Sequence, residues 1–164
     1  MKPAPTPSAT LNAPLSREVD VVFRACMKFV DEKATWGALS HLHVFEDAVC
    51  ATDSMSLIVA RLKAPAPVEP GCYDYIGKGI FNRFDGLNAL ERCQIERFLE
   101  CGEPEQGAMF DVKRLKRVFD AAALTACKAT QITFTQHGAH KAASLHWDAL
   151  AASFDVVVMP MRRI

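Results

Sequence analysis

An α+β domain built on an antiparallel sheet is what this sequence predicts, and three observations predict it. Two stretches, Arg17 to Lys33 and Val112 to Leu124, repeat apolar residues at the helical period. The segments between and after them alternate apolar and polar residues, the period of a half-buried strand. Those strand-like segments come in runs and do not alternate with helices, so a parallel α/β layout is excluded. The 164 residues suit one domain with a sizeable core.

Residues 1–15, MKPAPTPSATLNAPL, are rich in Pro, Ala, Ser and Thr and are expected to form a disordered tail, with a single domain over 16–164. Ser16 is the expected N-cap of the first helix, with Glu18 and Asp20 near its positive end. Val19, Val22, Cys26, Phe29 and Val30 fall on one side of that helix, and Arg17, Arg24 and Lys28 gather almost opposite. Two or three consecutive antiparallel strands are expected from about Leu39 to Lys63, with a turn at Glu46-Asp47. APAPVEPG, with three prolines and a glycine, is a loop. CYDYIGKGIF, Cys72 to Phe81, resumes as a strand. Residues 82–109 read poorly; a short helix capped by Asp85, with Leu87, Leu90, Ile95, Phe98 and Leu99 as its apolar set, is the reading offered. Asp111 caps the second long helix, whose expected apolar face is Val112, Leu115, Val118, Phe119 and Ala122. Lys113, Arg114, Lys116 and Arg117 crowd its first half. QITFTQ alternates, His137-Gly138 turns, KAASLHWDAL returns, and DVVVMPMRRI ends the chain as a buried strand with a basic tip. No internal repeat is visible.

Nineteen basic and nineteen acidic residues cancel, so attraction of the whole surface to nucleic acid is excluded, and any DNA contact must use a local stripe. The six cysteines include no CxxC pair and several sit in apolar runs, which reads as reduced, buried thiols in a cytoplasmic protein. Neither a membrane span nor a signal peptide is apparent. His41 and His43 share a strand face and His137, His140 and His146 flank a hairpin, but ligand spacing and an HExxH motif are missing, so no metal is expected. The GKG of residues 77–79 lacks the rest of a phosphate loop. No nucleophile stands beside an orienting base in the sequence, so no catalytic residue and no cofactor are expected.

Three stretches together resemble a domain of the bacterial DNA sliding clamp, the β subunit of DNA polymerase III. The first is the terminal Val156-Val157-Val158-Met159-Pro160-Met161-Arg162, similar to the strand and MPMR sequence that close the last domain of the clamp. The second is Met109 to Ala122, similar to the second helix of such a domain. The third is AVCATDSMSLIVARL, similar to its strand pair with an ATD-type turn. The resemblance runs in order over residues 16–164. It departs in size, since a clamp chain holds three such domains, and at the turn, where Ser54, Met55 and Ser56 stand in place of glycine and basic residues.

The resemblance implies a clamp fold with two adjacent helices packed on antiparallel sheets. It implies that the two basic stripes share a surface, so that Arg17, Arg24, Lys28, Lys113, Arg114, Lys116 and Arg117 meet double-stranded DNA weakly and without sequence preference. It also implies a partner-binding groove for polymerase or clamp-loader peptides, lined by Thr52, Met55, Leu57, Val158, Met159, Pro160 and Met161. The alternation of β residues leaves open whether Val156 and Val158 or their neighbour Val157 belong to the core. The function so implied is that of a non-catalytic processivity protein that self-associates, six single-domain chains replacing the six domains of a clamp ring. Two alternatives stand beside it: a clamp-domain interaction protein, encoded for instance by a mobile element, that binds a clamp, loader or polymerase without forming a ring, and an unrelated α+β enzyme.

Overall fold

The computed structural model describes residues 6–34, 37–86, 90–100, 110–127, 130–137 and 141–160, the side chains of Gly37, Arg92, Cys93 and Phe98 excepted. In chain order the elements are β1 (Ala9–Asn12), α1 (Arg17–Met27), α2 (Gly37–Ser40), β2 (Leu42–Val44), β3 (Ala48–Thr52), β4 (Ser56–Leu62), β5 (Gly71–Gly77), β6 (Ile80–Phe84), α3 (Arg92–Leu99), α4 (Val112–Thr125), β7 (Thr133–Gln136), β8 (Ala143–Asp148) and β9 (Ala152–Val158). The strands form one antiparallel sheet in the order β1-β6-β5-β2-β3-β4-β9-β8-β7.

Both long helices start where the sequence places them. The Ser16 hydroxyl accepts from the Val19 amide at 3.3 Å, and the Asp111 carboxylate accepts from the Lys113 amide at 2.7 Å. α1 and α4 pack against each other and against the same face of the sheet. They run antiparallel. Arg17 and Glu18 at the start of α1 share a crevice with Leu124 and Thr125 at the end of α4, while Lys28, just past the end of α1, acts on Asp120. Val22, Phe23, Cys26 and Phe29 of the first helical segment meet Val118, Ala121 and Ala122 of α4 in one buried cluster, over Ile58, Tyr73, Trp147 and Phe154 of the sheet. Trp147 stacks on Phe154 at 4.8 Å between centroids and donates its indole N–H to the Thr125 hydroxyl at 2.9 Å. The inward face of α4 is rotated from expectation. Phe119 is 49% exposed and Val112 78%, because Ala121 and Thr125, small enough to let the helix approach α1 and the sheet, take the inner positions.

The sheet carries a repeat that is topological and leaves no trace in the sequence. A helix followed by a three-stranded meander occurs twice, as α1 with β2-β3-β4 and as α4 with β7-β8-β9. The meanders join through their last strands, Ser56 facing Val158 and Leu62 facing Ala152.

Three segments depart from expectation. Part of the supposed tail is ordered as β1, an edge strand on β6, with the Ser8 amide donating to the Arg83 carbonyl at 2.7 Å and the Thr10 hydroxyl to the Asn82 side chain at 2.9 Å. CYDYIGKGIF is a hairpin: Lys78 and Gly79 both have positive φ, the two-residue turn that suits strand twist. Gly79 has a second reason to lack a side chain, because a Cβ there would stand 2.0 Å from the Ala13 carbonyl oxygen. The middle helix begins later than expected. Its cap is Glu91, paired reciprocally with Gln94, while Asp85 closes the end of β6 beside Arg83. Leu87, Met161 and the turn at Gly138 lie outside the described residues.

Candidate functional site: an apolar groove and a basic helix face

Among the described residues, the sheet face opposite α1 and α4 is covered over its first half and at the end of β9. There α2, Leu90 and α3 lie on β3 and β4, burying Ala38, Cys50, Leu57, Val59, Leu90 and Ile95 as a second small core. Where this cover stops, a groove of about 300 Å³ opens between α3, the β3–β4 turn and the end of β9. Its lining is Leu39, Thr52, Ser54, Met55, Ser56, Leu57, Leu90, Ile95, Val157 and Met159, with no charged side chain among them. Met55 and Met159 are 36% and 40% exposed at its mouth.

Four of the seven groove residues expected from the sequence line it: Thr52, Met55, Leu57 and Met159. Val158 does not. It is fully buried on the helix side, and Val157, opposite Leu57, faces the groove, because successive strand residues point to opposite faces. Pro160 is half-buried and outside the lining, and Met161 is outside the described residues. The strand does end where proline forces it to. The Met159 amide makes a last bond to the Met55 carbonyl at 2.9 Å, and Pro160 has no N–H to continue the ladder. Leu39, Leu90 and Ile95 were not foreseen: Leu39 lies on α2, where a strand is expected, and Leu90 and Ile95 fall in the stretch of unclear period.

The turn that forms one rim is tightly held. The Asp53 carboxylate accepts from the Met55 amide at 3.0 Å, the Ser56 amide at 2.7 Å and the Ser56 hydroxyl at 2.8 Å. The Thr52 hydroxyl donates to the Ser56 carbonyl at 2.9 Å and accepts from the amide of Ser54, whose φ is +72. Such an Asx-type turn needs aspartate or asparagine first and tolerates serine at positive φ poorly, so the side-chain bonds offset a local strain. Below the opposite rim, His43 joins two other walls. Its Nε2 donates to the Ala38 carbonyl at 2.8 Å and its Nδ1 accepts from the Leu90 amide at 3.2 Å, a pattern that fixes the neutral tautomer. Burial holds the His43 pKa below its ordinary value.

The basic face is real but partly neutralised. Arg17, Lys28 and Lys113 are exposed, and among the described residues they form no ion pair. Arg24 is bound to Asp20 at 2.6 Å, Lys116 to Asp120 at 2.6 Å, and Arg117 reaches across to Asp53 at 2.5 Å. Arg114 is half-buried. The Lys116 ammonium, hydrogen-bonded to Asp120, holds that carboxyl below the usual range, and Lys28 adds to the effect. The seven cations lie on α1, its C-cap and α4, and Asp20, Asp53 and Asp120 damp the field of those they pair with.

The remaining candidates fall to chemistry. Cys72 lies 3.6 Å from His43 Nδ1, yet burial raises the thiol and lowers the imidazole, the reverse of what an activated thiolate needs, and both are buried. His41 bonds Asp74 at 2.6 Å and stacks on Phe84. No group of three metal-ligating residues exists among the described residues. No helix among them is long and apolar enough to cross a membrane.

Solved structures share this architecture. The beta clamp of Helicobacter pylori in complex with 3,4-difluorobenzamide matches at a TM-score of 0.61 and 10% identity, over 99% of this chain and 68% of that one. The fold is that of a bacterial sliding clamp. The Helicobacter pylori clamp bound to a DNA ligase peptide matches at 0.54 and 12% identity, over 99% and 68% of the two chains. The sliding clamp (DNA polymerase III subunit beta) of Pseudomonas aeruginosa bound to griselimycin matches at 0.54 and 13%, over the same shares. At these identities the likeness to the clamps is one of fold. No protein-family model and no curated protein matches the sequence.

Proposed function

We propose that this chain is a non-catalytic, clamp-like processivity protein, acting in the cytoplasm, that captures short apolar segments of replication proteins in the groove and meets duplex DNA through the α1–α4 face. One observation carries the reading: an uncharged groove, rimmed by two exposed methionines, built from the ATD turn and the end of the last strand. Methionine suits such a site because its unbranched, polarisable side chain adapts to different occupants. The fold supports the same reading, since a solved clamp of this fold binds a ligase peptide. The damped field of the helix face fits weak, sequence-neutral phosphate contact, the kind a sliding protein requires.

Both edges of the sheet, β1 and β7, lack a neighbouring strand among the described residues. Apolar residues flank them: Ile80 on β6 beside β1, and Phe134 on β7, at 36% and 47% exposure. Unpaired edges with apolar flanks favour strand addition, and one chain's β7 meeting the next chain's β1 gives the head-to-tail contact a ring of single domains needs. The second reading, an interaction protein without a ring, is favoured by Phe119 and Val112, apolar side chains exposed on the helix that would face DNA.

The test of the groove is capture of the ligase peptide by the intact chain and by a chain lacking Met159 to Ile164. The deletion spares β9, so the shortened chain is expected to fold and to lose the peptide. A folded deletion that still binds moves the groove elsewhere, and failure of the intact chain removes the peptide reading. Molecular mass at high protein concentration separates ring from monomer.

A further inference from the structure

Arg117 and Asp53 place one ion pair between the two proposed binding faces. Asp53 stands at the tip of the β3–β4 hairpin. One carboxylate oxygen gathers the Met55 amide and the Ser56 amide and hydroxyl, which shapes the stretch Ser54-Met55-Ser56 that walls the groove. The other oxygen receives Arg117 from the middle of α4 at 2.5 Å, with 13% of the Asp53 side chain and 35% of the Arg117 side chain exposed. The guanidinium thus remains within reach of solvent, while the carboxylate is nearly enclosed. A phosphate drawing Arg117 away would leave Asp53 desolvated without its cation, a state that costs more than the pair itself contributes. The carboxylate must then turn toward water or pull on the turn, and either movement displaces Met55.

We infer that Arg117 is a positioning residue of the groove, and that phosphate bound at the α1–α4 face and a peptide bound in the groove oppose one another through the Arg117–Asp53 pair. This rests on the functional reading above. Because coupling is reciprocal, a peptide that locks the turn also holds Arg117 on Asp53 and weakens the hold on DNA by the same factor. A partner seated in the groove would loosen the grip on the duplex.

Isotope-labelled methionine methyl signals test this without needing a groove ligand. Met55 reports the turn, and anisotropy of a labelled short duplex reports DNA binding. In the unaltered chain, duplex DNA is expected to shift the Met55 methyl although it binds the other side of the sheet. Asp53→Asn keeps an oxygen for the Met55 and Ser56 donors but turns an amide toward Arg117, which is released. That variant is expected to bind duplex about fivefold more tightly, the lower range of ordinary coupling, and its Met55 signal to ignore DNA. Arg117→Ala should shift Met55 before any DNA is added. Duplex that binds the unaltered chain without moving Met55, or an Asp53→Asn variant with unchanged affinity, overturns the coupling and leaves the helix face as a DNA site. Absence of duplex binding altogether removes the helix-face reading and the coupling with it. Addition of the ligase peptide supplies the reverse arm, an expected loss of duplex affinity that Arg117→Ala abolishes.

Discussion

The two halves of the sheet share a topology but differ in how they are covered. β4, in the first half, is buried at five successive residues from Ser56 to Ala60, with α1 on one side and Ala38, Leu90 and Ile95 against Leu57 and Val59 on the other. β8, in the second half, alternates: Ala143, Leu145 and Trp147 face the helices, while His146 and Asp148 face solvent. β9 changes character along its length, alternating from Ala152 to Asp155 and then burying Val156, Val157 and Val158 in succession, where it meets α3. A second layer over part of a sheet therefore does more than add core. Its boundary makes a groove, and the residues at the boundary must serve both.

Charge placed on the same face of the two halves is the harshest way to break this comparison. Val59→Asp on β4 is expected to cost about 3–5 kcal/mol or to unfold the domain, since the carboxylate would be buried without a partner. Ser153→Asp on β9, same face but uncovered, is expected to stay within about 0.5 kcal/mol. Urea denaturation measures both, and equal losses would show that the second half is covered as well. On the helix side the halves should behave alike. Thr125→Val leaves the Trp147 indole N–H buried and unpaired and is expected to cost about 1–3 kcal/mol by the same assay. A smaller effect is tied to pH and belongs to the covered half alone. His43 is neutral in the fold with a pKa held below 6.5, so its contribution is complete above that value. It is lost as the pH falls below 6.5, because the unfolded chain takes up the proton first. The melting temperature of His43→Gln should be lower at neutral pH but fall less between mildly alkaline and mildly acid conditions. A steeper fall in the variant would assign the acid sensitivity to another group. The smallest expected change in stability is at the boundary. Met159→Ala should leave stability within about 0.5 kcal/mol while weakening peptide capture, which sharpens the distinction between a wall of the groove and a part of the core.

What the sequence disclosed follows the same division. α1, α4 and the β2-β3-β4 run were legible because each is a local pattern with its own caps and turns. β1 was not, since its partner strand among the described residues, β6, lies about seventy residues away and its own composition argues for a loop. The β5–β6 hairpin was hidden by a turn of Lys78 and Gly79 in place of the more familiar Asn-Gly, although the glycines on either side of Lys78 were its signature. In the groove, Thr52, Met55, Leu57 and Met159 came from resemblance, and Val157 was among the options that alternation left open. Leu39, Leu90 and Ile95 enter through tertiary packing: Leu39 is on α2, where the sequence predicts the start of a strand, and no local period marks Leu90 or Ile95. The ion pairs that damp the helix face were equally invisible, because Asp53 and Arg117 are 64 positions apart.

The place of β9 has a consequence for how the protein is made. It comes last in chain order among the described strands, yet it sits inside the sheet, between β4 and β8. Until residues 152–158 emerge from the ribosome, β4 is an open edge whose Leu57-Ile58-Val59-Ala60 run is apolar on both faces. The β4–β9 pairing that joins the halves waits for residues 152–158, a distant pairing of the kind that makes antiparallel sheets slow to form. A ribosome stalled, or a gene truncated, before Ala152 would release a chain with its most adhesive edge uncovered.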